Sequence, residues 1–502
     1  MGAILKIGGG LFMLRLFSSK LFLFLLIGYQ LVSAMLYAQE KDLDEFEAWI
    51  NSQTLKSRQS LLLNISPHGT ERGVVVASPS RHDPDYYYHW IRDASIVMGV
   101  VVRFYEKAQI PQEKEYFSQL IKDFVSFSRK NQLTFNRSGG LGEPKFNVDG
   151  SAFQGDWGRP QNDGPALRAL TMIRYAKDLL AEGGHDDFIR SSLYDGKFPT
   201  DSMIKADLEF VSNHWPEASY DLWEEVKGQH FNTRMVQRKA LLDGADLADE
   251  LGDLGAASWY RIQAKNLEVE IEKHWDSQKE ILLETIHLEG GLTNKNSGLD
   301  SGVILGSIEG NRGDGFFTPS SDKVLRTALK IRQVFQNIYQ INRQVHLAPA
   351  IGRYPEDTYD GLTGGKSGNP WPVTTFGFSE LYYCIENEWS KLDFIPVTAT
   401  HLAFLNQLFQ DQTEEVLFQP GQIISSRTKL FSKILIRLRK EGDSFLKRVQ
   451  FHSPANGSFY EQINRDTGNA QGALDLTWSY AGFLRSIEER TKTFLNTSSS
   501  GF

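Results

Sequence analysis

Pro111-Gln112-Glu113-Lys114-Glu115-Tyr116-Phe117-Ser118-Gln119-Leu120-Ile121-Lys122-Asp123-Phe124-Val125-Ser126-Phe127, running on to Leu133, is the stretch that decides the fold class. Tyr116, Leu120, Ile121, Phe124 and Phe127 recur at helical spacing and predict one apolar stripe. Pro111 suits a first helical turn, where its missing N–H has no intrahelical partner to lose. The same period returns in roughly twelve segments. They begin near Asp93, Pro111, Pro165, Pro199, Phe231, Asp253, Ser301, Asp322, Thr375, Pro396, Leu430 and Leu476. In the segment from Leu430, Arg437, Arg439 and Lys440 read as a basic end that opposes the negative pole of the helix dipole. Residues 40–64 read as an entry helix, and Gly73 to Ser80 as an extended run leading into a loop.

Long loops rich in Gly, Asn, Asp, Trp and Pro separate the helices at 133–164, 215–230, 285–300, 352–373 and 453–475. Loops of that length are uncommon in a compact protein unless they carry function. Helices in pairs with a long loop in every other connection predict an all-α fold of six hairpins. An α/α toroid is one such arrangement and a superhelix another; the absence of a fixed-period repeat weighs against the superhelix.

A chain of 502 residues with 41% hydrophobic residues can bury a large core unaided. The net charge of −8 and the lack of a basic tract argue against nucleic acid as a partner. Aromatics at 12% suit a site that stacks sugar faces, and equally a well-filled core. Cys384 is the single cysteine, so no intramolecular disulfide is possible; in its helical run it reads as a small buried residue. The 11 histidines show no HxxH or HExxH spacing, and neither a GxxxxGK[ST] nor a GxSxG element occurs. No metal or cofactor is expected.

Arg15 and Lys20, the apolar run from Leu21 to Val32, and Ser33-Ala34 read as a secretory leader spanning 1–34, cleaved after Ala34 or Ala38. An uncleaved anchor is the alternative. No other stretch is long and apolar enough for stable membrane insertion. Sequons at Asn64, Asn136, Asn456 and Asn496 lean the same way. One catalytic domain is expected over residues 40–495, acting as a monomer.

Five segments carry chemistry. In Tyr220-Asp221-Leu222-Trp223-Glu224-Glu225-Val226-Lys227-Gly228, carboxylates crowd beside an indole. Crowding and an apolar neighbour push at least one carboxyl upward, which suits a proton donor; a solvated acidic loop is the bland reading. Asp85 to Asp93 sets Tyr86, Trp90, Arg92 and Asp93 ahead of a helix, a donor fork beside an acceptor, or simply a cap with a surface ion pair. The glycine-rich segment from Leu141 to Pro165 would project Trp157 as a stacking platform. Gly352 to Asp360 sets Arg353 among three carboxylates. Gly457 to Arg465 offers a second candidate carboxylate, Glu461.

Taken in order, these segments resemble the glucoamylases of glycoside hydrolase family fifteen, the inverting exo-α-1,4-glucosidases, over about residues 73–485. The resemblance implies an (α/α)6 barrel, with Glu224 as general acid and Glu461 as the base that activates water. It implies that Tyr86, Trp90, Arg92 and Asp93 hold the terminal glucose and that Trp157 stacks near the acid. Asp221 and Glu225 would support the acid and bind the second glucose, and Arg353 would bind hydroxyls. The substrate would be an α-glucan or malto-oligosaccharide. Ala94-Ser95, Asn232, Tyr460 and Asp466 depart from the family pattern, and the last two border the base. No starch-binding domain is read after Thr493, so oligosaccharides or glycogen are the expected substrates. The alternatives are a catalytically weakened carbohydrate-binding relative, or a trehalase or dextran exo-hydrolase.

Overall fold

A computed structural model describes residues 44–343, 347–362, 367–410 and 416–498, with residues 493–498 as helix backbone alone. The leader and its cleavage positions lie outside the described residues. The chain divides into two units, 1–55 and 56–502. In the first, residues 44–55 are helical. The second carries every residue discussed below.

In chain order its longer helices are α1 (Ile91–Lys107), α2 (Pro111–Leu133), α3 (Asp163–Glu182), α4 (Met203–His214), α5 (Phe231–Glu250) and α6 (Leu254–Glu272). They continue as α7 (Gly302–Glu309), α8 (Asp322–Ile338), α9 (Pro372–Trp389), α10 (Ala399–Leu408), α11 (Lys429–His452) and α12 (Thr477–Ser498). The helices α1, α3, α5, α7, α9 and α12 pack each on the next, and α12 returns to α1, so an inner ring closes. Outside it α2 lies on α1, α4 on α3, α6 on α5, α8 on α7 and α11 on α9. This is the all-α (α/α)6 barrel, and ring closure removes the superhelix.

The sixth outer position is taken by the helical residues 56–63. There Arg58 pairs with Glu113 and lies 5.0 and 5.3 Å over the rings of Phe104 and Phe117. The pairing read from the sequence therefore shifts. Residues 56–63, not α10, stand beside α1 and α2 on the outside, and α10 is an extra helix lodged against α8 and α11.

Two local readings are corrected. In α2 the buried face includes Phe117, Ile121, Phe124, Val125, Phe127 and Ser128, whereas Tyr116 is 49% exposed. Ile121, Phe124 and Phe127 of the expected stripe are buried and Leu120 is half-buried; only Tyr116 is misplaced, its inward position being taken by the adjacent Phe117. The helix from Lys429 runs to His452, so Arg437, Arg439 and Lys440 sit mid-helix and cap nothing. Arg439 instead pairs with Glu386 of α9.

α9 is buried along nearly its whole length, as befits an inner-ring helix with neighbours on every side. Cys384 is buried there, with no cysteine partner. Val74 and Val76 are buried against Phe127, and Val75 forms an isolated bridge to Ile65 and donates its N–H to His89 Nδ1 at 3.0 Å.

The loops that precede the inner helices meet at one end of the ring. Short antiparallel pairs fasten them. β1 (His89–Trp90) pairs with β2 (Lys145–Phe146); β3 (Ser219–Tyr220), β4 (Val226–His230) and β5 (Thr285–Gly291) form one sheet in that order; β6 (Gln462–Ile463) pairs with β7 (Ala470–Gln471). The inner helices thus point their N-termini, the positive dipole ends, toward this loop face. No helix among the described residues is long and apolar enough to cross a membrane.

Candidate active site

The turn between β3 and β4 presents Glu224. Asp221 N–H donates to Val226 C=O at 2.9 Å, and Glu224 N–H donates to Asp221 C=O at 2.9 Å. Asp221 Oδ1 accepts the N–H groups of Glu225 and Val226 at 2.7 and 3.0 Å. This closure holds Glu224 at φ +69°, the left-handed region that costs a non-glycine residue about 1 kcal/mol or more. The strained backbone aims the carboxyl into the pocket rather than along the hairpin.

There Oε1 accepts from Trp90 Nε1 at 2.7 Å and Gln161 Nε2 at 3.1 Å, with an Arg92 nitrogen at 3.4 Å. Oε2 accepts only from Trp157 Nε1, at 2.9 Å. Trp157 is 36% exposed and stands at the rim, as its loop suggested.

Arg92 and Asp93 open α1, directly after β1. The Arg92 guanidinium lies among Gln161, Asp163, Asp93 and Glu224. Burial pushes the Asp93 carboxyl up to about 6, although Arg92 opposes the shift. Arg92 Nε and Asp93 Oδ2 face each other as a buried ion pair at 3.4 Å, and Trp371 Nε1 is buried without a hydrogen-bond partner among the described residues. Buried polar atoms normally have partners. Arg92, Asp93 and Trp371 line the cavity, and a wall of an ion pair beside an indole suits a ligand bearing hydroxyls.

Across the pocket, Arg353 donates from Nε and Nη2 to Asp357 at 2.8 and 2.6 Å and from Nη2 to Glu225 Oε1 at 2.8 Å. Of the three carboxylates near Arg353 in sequence, only Asp357 binds it. Glu356 instead accepts from the Ser297 N–H and hydroxyl, and Asp360 from the Leu362 N–H. Glu225 Oε2 accepts the Tyr354 hydroxyl at 2.7 Å. Burial raises the Glu225 carboxyl despite Arg353. Asp221 goes the other way. Burial would raise it, but the Lys295 ammonium, His230 and the Val226 N–H hold it below the usual carboxylate range.

Glu461 stands just before β6 and is fully buried. Tyr86 Oη donates to its Oε1 at 2.8 Å, Tyr359 Oη lies 3.2 Å from the same oxygen, and the Ala473 N–H meets Oε2 at 3.3 Å. The two phenol oxygens are 2.9 Å apart. Burial pushes the Glu461 carboxyl up to about 7 against these donors. Gly472 is required beside it, since a Cβ there would lie 2.3 Å from Glu461 Oε2.

All the site residues read from the sequence, apart from Asp221 and Glu461, line one cavity of about 300 Å³. Asp221 lies behind the acid turn, and Glu461 behind Tyr86 and Tyr359. The Trp90 indole, bonded to Glu224, and the Tyr86 ring, whose hydroxyl is bonded to Glu461, meet edge-on at 5.4 Å between centroids. Glu224 thus stands on the cavity wall and Glu461 behind it, linked through two rings.

Several contributors lie in or beside segments noted in the sequence but were not assigned a role there. Tyr359, Trp371 and Trp478 complete the wall. Gln161 and Asp163 hold Arg92. The Lys145 ammonium sits 3.3 Å from the Trp157 ring centroid and 4.5 Å from that of Trp90, behind both indoles that hold Glu224. Burial brings it down to about 8, although Glu224 opposes the shift. The β1–β2 pairing puts Lys145 opposite Trp90, a long-range register that spacing alone does not reveal. Of the departures from the family pattern, Asp466 is exposed in a turn where its N–H meets Asn464 Oδ1, and Asn232 N–H bonds Glu284.

The family model "Glycosyl hydrolases family 15" matches residues 56–488. The chain is 38% identical over 462 residues to a glucoamylase of Blastobotrys adeninivorans, covering 89% of this chain and 73% of that one. To glucoamylase 1 of Rhizopus oryzae it is 39% identical over 439 residues, covering 87% and 70%. Among solved structures, the glucoamylase from Saccharomycopsis fibuligera superposes with a TM-score of 0.78 at 32% identity, over 89% of this chain and 96% of that one.

Proposed function

The chain belongs to glycosyl hydrolase family 15, and from that premise we propose how its pocket works. It is a glucan 1,4-α-glucosidase, a glucoamylase-type enzyme that hydrolyses terminal α-1,4-linked glucose from the ends of starch-type glucans. The assignment of roles to side chains is our reading. Its main support is that Glu224 and Glu461, far apart in sequence, come from two different loops to the same side of the barrel, Glu224 on the cavity wall and Glu461 directly behind Tyr86, joined through the Trp90–Tyr86 contact.

In this reading Glu224 is the general acid. Its Oε2 has a single partner and faces the cavity, so a proton placed there meets the glycosidic oxygen. Glu461 is the base. A water attacking the anomeric carbon gives its proton to Glu461 while the carbon–oxygen bond to the leaving sugar breaks and Glu224 protonates that oxygen. Attack and departure on opposite faces invert the anomeric centre, so β-glucose leaves. Arg92 and Asp93, on the cavity wall, take hydroxyls of the terminal glucose. Trp90, Tyr86 and Trp478 provide apolar faces for the ring, and Trp157, Glu225 and Arg353 border the next sugar. Asp221 stays behind the turn and keeps it closed.

Digestion of maltoheptaose, isomaltotriose and trehalose tests this directly. We expect single glucose units from maltoheptaose, with maltohexaose the first shortened product, and slow or no release from the other two. Faster hydrolysis of trehalose or of the α-1,6 substrate would move the chain to a different specificity. Binding of maltose with no glucose released would make it a binding protein.

Entry into the secretory pathway belongs to the same reading, supported by the leader-like sequence at 1–34 and by one accessible sequon. Asn64 and Asn136 are buried and spend their amides inside, Asn64 on Thr477 and Asp475, Asn136 on Thr134 and Gly140. Asn456 is exposed in its loop. An endoglycosidase-sensitive band shift that Asn456→Gln removes or reduces would agree; no shift in a secreting host would not.

A further inference from the structure

Behind the acid turn lies a buried ammonium that the mechanism above does not use. Lys295 Nζ donates to Asp221 Oδ2 at 2.9 Å and to Asp300 Oδ2 at 3.1 Å, and sits 3.9 Å from the centroid of the Tyr354 ring. Only 14% of its side chain is exposed, and it is not among the residues lining the substrate cavity.

Each of its three neighbours grips a different part of the turn. Asp221 Oδ1 holds the N–H groups of Glu225 and Val226. Asp300 Oδ1 accepts the Trp223 indole N–H at 2.8 Å. The Tyr354 hydroxyl donates to Glu225 Oε2. Residues on both sides of Glu224 are therefore tied back to one cation. Glu224 itself sits in a strained backbone conformation that persists only if its surroundings over-determine it.

The electrostatics agree with the geometry. Glu284, which accepts the Asn232 N–H at the start of α5, lies in the same cluster, raised by burial and by Asp300. Among the described residues, Lys295 is the cation ion-paired with both Asp221 and Asp300. Removing one partner of a buried ion pair leaves the other carboxylates uncompensated. They would then protonate or turn toward water, and Asp221 and Asp300 would release the N–H groups they hold.

We infer that Lys295 is a positioning residue for the proton-donating carboxyl: it fixes the turn that aims Glu224 at the glycosidic oxygen without touching the sugar. The inference rests on Glu224 being the acid. It makes a prediction that general destabilisation does not. Loss of Lys295 should harm substrates that need a proton delivered and spare one that does not.

The test uses the full chain with Lys295→Met, Lys295→Arg and Glu224→Gln, assayed on maltose and on α-D-glucosyl fluoride, whose fluoride departs without a proton from the protein. For Lys295→Met we expect kcat on maltose to fall ~10–100-fold with KM within ~3-fold, and turnover of the fluoride to stay within ~3-fold of wild type. Lys295→Arg should recover part of the maltose rate. Equal losses on both substrates, or a maltose rate within ~2-fold of wild type, would overturn the inference. Should Lys295→Met not fold, Asp300→Asn reads the tie to Trp223 with the lysine in place; a maltose-selective loss of ~3–10-fold is expected, and equal loss on both substrates again overturns it. Glu224→Gln separates the two levels. If it too loses both substrates equally, the acid assignment fails; if it spares the fluoride while Lys295→Met does not, only the role of Lys295 fails.

Discussion

Glu224, on the cavity wall, and Glu461, directly behind it, come from loops of different build. Glu224 rides a strained hairpin turn, its side chain 17% exposed, and every partner it has is a nitrogen donor: two indoles, an amide and a guanidinium. Glu461 has no exposed surface and is met by two phenols and one backbone N–H. One carboxyl opens to the pocket and the other is dry, and this suits different tasks. A donor has to touch the departing oxygen and needs exact aim. A base is more effective when burial has weakened its solvation and raised its affinity for a proton.

The contrast is sharpest in kinetics. Glu224→Gln and Glu461→Gln should each cut maltose turnover by about 10³-fold while the fold persists by circular dichroism. On α-D-glucosyl fluoride only the Glu461 variant should remain crippled. If the two variants behaved alike on the fluoride, the division of roles would fall.

Stability gives the next largest effect. Glu461 is raised from 4.5 to about 7, so folding favours its protonated form. That contribution is fully present below about pH 4.5 and is lost as pH rises through 7; Asp93, raised from 3.8 to about 6, acts in the same direction over a lower window. Glu461→Gln should therefore match wild type near pH 4.5 and exceed it by up to about 3 kcal/mol at pH 8, read from thermal or urea unfolding at both pH values. A variant less stable than wild type at pH 8 would mean the carboxylate is not ionised at a cost.

Smaller effects separate the partners. Trp157→Phe keeps a ring at the rim but removes the one donor to Glu224 Oε2, and should lower kcat on maltose about 10-fold with a lesser effect on the fluoride. Tyr86→Phe removes a hydrogen bond that favours the Glu461 carboxylate, so its pKa rises. Because the base works ionised, the acid limb of kcat/KM should move to higher pH, by roughly half a unit to one unit. A shift to lower pH would contradict the hydrogen-bond direction.

What could be read in advance follows the same physical line. Helix starts lie within four residues of their sequence positions, because apolar period and proline placement are local signals. The acid turn and the Arg92–Asp93 pair were legible because their chemistry is contiguous in the chain. Two things were not. Lys145, Gln161, Tyr359 and Lys295 act through cross-loop contacts: a two-residue strand pairing, a cage of rings, a buried ion pair. Their own neighbours in sequence say nothing of Glu224 or Glu461. The exchange of roles between α10 and the helical residues 56–63 was hidden for a similar reason, since an amphipathic helix does not announce which layer it will join.

The account centres on a water held by Glu461 on the face of the sugar opposite Glu224. Proton NMR of maltotriose in the first minutes of digestion, before mutarotation, observes that face directly. The account predicts that newly released glucose appears as the β-anomer. Appearance of the α-anomer first would mean that the configuration is retained and that the two glutamates do not work across a single water.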